Sequence, residues 1–167
     1  MKSLVRFANI CVLSLLAITN TTIASESNEK ASAFELPHLT SGIMTSLSDY
    51  KGKVVYLDFL ASWCKPCKKS FPVLNEFHNK YKQQGFEVIA INLDEDKLNA
   101  LAFLQQHKVD YSVLYDEDAK VAQQYKVQAM PSAYFIDKKG TIRLVHKGYM
   151  DSDKTKIKQV IELLINE

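Results

Sequence analysis

Val54-Val55-Tyr56-Leu57-Asp58-Phe59-Leu60-Ala61-Ser62-Trp63-Cys64-Lys65-Pro66-Cys67 is the stretch on which the fold turns. An apolar run rich in β-branched and aromatic residues reads as a strand buried on both faces. It ends in Cys-x-x-Cys, and Lys65 onward reads as a helix. A dithiol at the join of strand and helix is a redox pair by geometry and electrostatics together. Two intervening residues bring both sulfurs into the first helical turn. There the unpaired backbone N–H groups and the positive end of the helix dipole favour a thiolate. Pro66 suits that turn, because its missing N–H would have had no intrahelical partner. The thiolate is the form that attacks disulfides.

Half of a zinc site is the competing reading of Cys-x-x-Cys. Structural zinc takes four ligands, usually a second Cys pair or a His pair. The only other cysteine is Cys11, and His38, His78, His107 and His146 show no ligand spacing. The sequence therefore predicts no metal and no organic cofactor, only a redox-active Cys64–Cys67 disulfide.

Residues 1–24 read as an export signal. Lys2 and Arg6 form a positive start, Ile10 to Ile18 an apolar core, and Thr22-Ile23-Ala24 a cleavage site with small residues at the key positions. The apolar run falls short of the roughly 20 residues that span a bilayer, although an uncleaved anchor is the alternative. Loss of this segment removes Lys2 and Arg6 and no acidic residue. The 21 Lys plus Arg then fall to 19, equal to the 19 Asp plus Glu. A formally neutral chain gives no reason to expect nucleic acid or an acidic surface as partner. It also leaves Cys64 and Cys67 as the only thiols, so cysteines do not staple this fold.

Residues 25–33 are small, polar and charged, and read as a flexible linker. Residues 34–167 form one domain of α/β pattern. Strands are predicted over 53–60, 86–93, 111–115, 133–137 and 141–147, and helices over 65–84, 96–107, 118–125 and 151–165. Gly85 ends the first helix in the expected position, and Asp137-Lys138-Lys139-Gly140 makes a hairpin turn. This order predicts a central mixed sheet flanked by helices. In the first helix Phe71, Leu74, Phe77, His78 and Tyr81 make a core-facing stripe. Because that stripe continues past Pro72, a kinked helix is expected rather than a helix end.

These residues together resemble the thioredoxin superfamily. Within it they resemble the exported thiol-disulfide oxidoreductases of the TlpA, ResA and CcmG type, a redoxin/AhpC-TSA-related group. The resemblance rests on Phe34-Glu35-Leu36-Pro37, Leu47 to Val55, Asp58 to Lys69 with its Trp63-Cys64-Lys65-Pro66-Cys67, Phe71-Pro72, and Met130-Pro131. It implies a thioredoxin-like fold with an extra helix and strand inserted over residues 95–115. It implies that Cys64 is the nucleophile and Cys67 the resolving thiol. Met130-Pro131 becomes a cis peptide facing the dithiol, its backbone open to an extended substrate segment, with an ordinary strand-start proline as the alternative. Trp63 and Pro66 border the same substrate surface.

Cytochrome-maturation members often carry a glutamate where this chain has Ser70, and an asparagine where it has Asp58. The site is in that respect more like thioredoxin itself. A carboxylate in an apolar strand is costly when ionised, and burial raises its pKa. Asp58 is thus a candidate proton acceptor for Cys67, the alternative being a structural or solvent-facing aspartate. Lys65, Lys68 and Lys69 crowd the helix start and read mainly as solvated surface. Glu35, Asp94, Glu95 and Asp96 receive no role.

The function predicted is reduction of substrate disulfides through a mixed disulfide, in the periplasm. Disulfide-containing exported proteins are the substrates, a membrane thiol reductase is the electron donor, and the protein is a monomer. The rivals are a disulfide-donating oxidase and a thiol peroxidase, the latter lacking Pro-x3-Thr-x2-Cys. Outside enzymes, a metallochaperone would want Cys-x3-Cys, and a redox-inactive binding module would have lost a cysteine.

Overall fold

A computed structural model describes residues 29–167. The predicted signal over 1–24 and residues 25–28 of the linker lie outside the described residues. Strand β1 (Glu35–Pro37) pairs antiparallel with β2 (Met44–Ser46). Then come β3 (Val54–Leu60), α1 (Lys65–Tyr81), β4 (Phe86–Asn92), α2 (Lys97–Gln106) and β5 (Ser112–Tyr115). Helix α3 (Lys120–Gln124), β6 (Ser132–Ile136), β7 (Ile142–Lys147) and α4 (Asp153–Asn166) complete the domain.

The main sheet has the order β5-β4-β3-β6-β7. Strands β3, β4 and β5 run parallel, while β6 is antiparallel to β3 and β7 to β6. This is the mixed thioredoxin-like sheet that the sequence predicts. Every residue of β3 is buried, as befits a central strand with helices over both faces. Alternation along it divides the core. Val54, Tyr56 and Leu60 join a cluster with Phe71, Leu74 and Phe77 of α1, Phe103 of α2 and Ile157 and Ile161 of α4. Val55, Leu57 and Phe59 join the opposite cluster with Val121 and Ala122 of α3 and with Phe34 and Leu36. Phe71 stands edge-on to Phe103 at 5.1 Å and to Tyr111 at 5.4 Å, which pins α1 against α2 and the start of β5.

Helix α1 runs through Pro72 without a break. It ends three residues earlier than predicted, in a 3-10 turn over Lys82–Gln84, and Gly85 then takes φ +85°. Only glycine adopts that conformation without penalty, so the residue that closes the helix also lets Val54 N–H reach its carbonyl at 2.8 Å.

Two parts of the chain depart from the sequence reading. The β1-β2 hairpin falls where no strand was expected. It is joined to the sheet edge by the His38–Leu114 bridge and by Leu39 N–H donating to Val113 C=O at 2.8 Å. Residues 29–33, expected as flexible linker, instead lie along the β6-β7 hairpin. Lys30 bridges Thr141, Ala31 N–H donates to Gly140 C=O at 3.0 Å, and Glu29 C=O accepts from Ile142 at 2.8 Å. Their polarity is that of an edge pairing, which needs backbone groups rather than apolar side chains.

Candidate active site

The parallel strands β3 and β4 end side by side, and β6 begins beside the end of β3, since Phe59 pairs with Ser132. Loops from all of these strands therefore meet at one end of the sheet. There Cys64 N–H donates to Ala61 C=O at 3.1 Å, closing a turn that delivers the chain from β3 into α1. Cys64 caps the helix, its sulfur accepting from Cys67 N–H at 3.3 Å. That donor is one of the orphan N–H groups of the helix start, and it favours negative charge on Cys64 when the pair is reduced. Cys64 and Cys67 form a disulfide with Cα atoms 5.3 Å apart. Cys64 is 4% exposed and Cys67 fully buried, so an incoming group meets Cys64 first. Pro66 lies in the first turn, and Lys65, Lys68 and Lys69 are exposed on the outer side of α1.

Trp63 stands out into solvent, 67% exposed, beside the dithiol. A large apolar ring so placed is available to a polypeptide approaching Cys64. The Met130–Pro131 peptide is cis. Pro131 is buried, its carbonyl accepting from Gly148 N–H at 2.8 Å, and Ser132 Oγ donates to Ala129 C=O at 2.7 Å. Met130 packs against the core cluster that holds both cysteines, and it precedes the β6 ladder, which begins at Ser132.

Asp58 is buried in β3 between Tyr56 and Leu60, so its side chain enters the layer between the sheet and α1 that contains Cys67. A solvent-facing role is thereby excluded. Its neighbours across the ladder are Ala90 in β4 and Ala133 in β6, which bring no polar side chain. Oδ2 has no hydrogen-bond partner among the described residues. Burial alone raises the carboxyl from its ordinary 3.8 to about 8. At neutral pH the group is poised between giving and taking a proton, the condition for general acid–base work.

Sequence reasoning missed Asp94. It lies just past β4, is buried, and accepts from Ser62 N–H at 2.9 Å, from Ser62 Oγ at 2.7 Å and from Asn92 Nδ2 at 2.7 Å. Its one signal in the sequence is a position directly after an apolar strand, since Ser62 is remote in the chain. His78, read as part of the core stripe, is buried with Nδ1 3.6 Å from Glu87 Oε2, well inside α1 and without a place in the site. Ser70 is buried too, its hydroxyl donating to Cys67 C=O at 3.1 Å. Among the described residues no group of three or more His, Cys, Asp or Glu could hold a metal ion. No helix among them is long and apolar enough to cross a membrane.

A strand-helix dithiol, a cis-proline before an antiparallel strand and this strand order now stand together. The Redoxin family matches residues 26–161. The chain belongs to the redoxin family. Among its relatives is the thiol-disulfide oxidoreductase ResA of Geobacillus thermodenitrificans, 37% identical over 116 residues, or 70% of this chain and 66% of that one. The chain spans 58–66% of the length of the ResA proteins it matches. A crystal structure from Chlorobium tepidum, named as a candidate thiol:disulfide interchange protein DsbE, has a TM-score of 0.81 at 40% identity. It covers 84% of this redoxin and 98% of its own chain. The pneumococcal exposed lipoprotein thioredoxin of Streptococcus pneumoniae is 32% identical with a TM-score of 0.68, covering 80% and 100% respectively.

Proposed function

We propose that this redoxin is an exported thiol-disulfide oxidoreductase that reduces disulfides in other exported proteins. The observation that carries the reading is a dithiol at a helix start with a buried carboxyl, Asp58, poised near pH 8 in the same layer. The Cys64 thiolate attacks one sulfur of a substrate disulfide. A Cys64–substrate bond forms, the substrate S–S bond breaks, and the leaving sulfur departs as a thiolate that takes a proton from solvent. Cys67 then gives its proton to Asp58 and attacks the Cys64 sulfur, releasing the second substrate sulfur as a thiolate that is protonated in turn. Two electrons pass to the substrate, and the disulfide of the present structure is the product. Trp63, Pro66 and the backbone at Met130-Pro131 receive the substrate segment. No metal or organic cofactor takes part.

Reset of the pair requires a dithiol donor of lower potential, for which a membrane thiol reductase is the natural class. The signal-like residues 1–24 support export to the periplasm, and the chain acts as a monomer. Titration of the Cys64–Cys67 pair against thiol redox buffers tests the direction. A potential near −270 mV, about that of thioredoxin, supports a reductant, whereas one near −120 mV, about that of a strong oxidant, refutes it.

A further inference from the structure

Ser62 and Trp63 form the corner of the turn that presents Cys64, and that corner is held by one side chain from another strand. Asp94 offers its carboxylate to Ser62 N–H at 2.9 Å through Oδ2 and at 3.2 Å through Oδ1. Ser62 Oγ donates to Oδ1 at 2.7 Å and Asn92 Nδ2 to Oδ2 at 2.7 Å. Asn92 in turn accepts from Asp94 N–H at 3.0 Å, and both residues are at most 2% exposed. Every group that meets the carboxylate is a donor, the arrangement that suits an acceptor-only carboxylate.

This anion is tied to the turn whose last N–H belongs to Cys64. Asp94 and Cys64 are 2% and 4% exposed, and the carboxylate is bonded to Ser62, two residues before Cys64, so the charge is screened less than in open water. Among the described residues no cation forms an ion pair with it. Other charged residues on the same elements are Asp58 in β3, the exposed Lys65, Lys68 and Lys69 on α1, the exposed Glu95 and Asp96 beyond Asp94, and the buried Asp116, whose N–H donates to Asn92 C=O at 3.1 Å.

We propose that Asp94 is a positioning residue with an electrostatic task. It braces the Ala61–Cys64 turn, and its negative charge disfavours the Cys64 thiolate, holding the pair on the reducing side. A dithiol becomes oxidising when its reduced thiolate is stabilised, as the helix start does here. Asp94 opposes that bias from the strand side. The proposal rests on the reductase reading, and extends it by naming the group that sets the direction.

The test is the thiol-buffer titration on the oxidised, full domain for wild type, Asp94→Asn and Ser62→Ala, with melting temperatures alongside. Asp94→Asn keeps size and an acceptor for Ser62 N–H but removes the charge. It should shift the equilibrium toward the dithiol about threefold to tenfold, which is about 15 to 30 mV at 29.6 mV per decade. Ser62→Ala keeps the charge and removes one of its donors, so its shift should be smaller and of opposite sign. If both variants stay within twofold of wild type, or shift the same way, while only the melting temperature falls, Asp94 is a structural brace and the proposal is wrong. Should Asp94→Asn fail to fold, the sign of the Ser62→Ala shift decides alone. The wild-type potential judges the reductase reading separately, because the variant shifts are measured relative to it.

Discussion

Replacing Asp58 by asparagine should stabilise the oxidised protein, and by an amount that grows with pH. Burial between Ala90 and Ala133 raises the carboxyl from 3.8 to about 8 in the folded state. Between those values the folded protein keeps a proton that the unfolded chain releases. The contribution of Asp58 to wild-type stability is therefore greatest below pH 4, falls as pH rises, and levels off above pH 8. Each unit of pH across that window costs about 1.4 kcal/mol. From the ordinary value to pH 7 the loss is about 4 kcal/mol, a large share of the 5–15 kcal/mol that holds a typical domain together. Asparagine cannot ionise, so its own burial cost is the same at every pH. Guanidinium unfolding of both proteins, followed by far-UV circular dichroism at pH 4, 5.5, 7 and 8.5, isolates the effect. Other titrating groups cancel in the difference. The gap in stability between variant and wild type should widen by about 4 kcal/mol from pH 4 to 7. A gap that stays constant over this range would mean an ordinary carboxyl at position 58, and the acid–base role assigned to it would fall with it.

Cys67→Ser should accumulate stable mixed disulfides with a disulfide-containing peptide, seen as a mass increase, whereas Cys64→Ser should form none; the reverse pattern would exchange their roles. In the core, Phe71→Ala removes a ring that contacts both Phe103 and Tyr111. Its expected cost is about 3–5 kcal/mol in denaturant unfolding, and a cost below about 1 kcal/mol would show that α1 is held elsewhere. Changing Lys65, Lys68 and Lys69 together to glutamine should alter the rate of disulfide exchange less than about threefold in 0.15 M salt, because exposed charges are screened. A larger loss that salt reproduces in wild type would instead mark a basic docking rim.

Strand β3 and the first turn of α1 were legible because their signals are local. An unbroken apolar run, two cysteines two residues apart and a proline inside the first helical turn each act through neighbours in the chain. The same holds for Gly85, whose backbone freedom is its own property. Strands β1 and β2, at three residues each, are too short to show a period; they pair with each other, and His38 and Leu39 in the loop between them fasten the hairpin to the sheet edge at Leu114 and Val113. The segment from Glu29 carries no apolar pattern either, since its hold on the β6-β7 hairpin is made by backbone groups.

The sequence by itself determined the chemistry: which two sulfurs react, which of them begins the helix, and that a carboxyl stands six residues before the first. Those facts follow from spacing, and spacing survives without a fold. Only the tertiary structure decided what surrounds them. Asp58 holds its proton to about pH 8 because it is buried, with alanines of two other strands across the ladder, and an isolated strand would leave it an ordinary acid. Asp94 gains a place in the site because parallel pairing of β3 with β4 ends both strands at the same edge, bringing a residue 32 positions away onto Ser62. Desolvation and long-range hydrogen bonds depend on which elements meet, and no window of sequence contains that information.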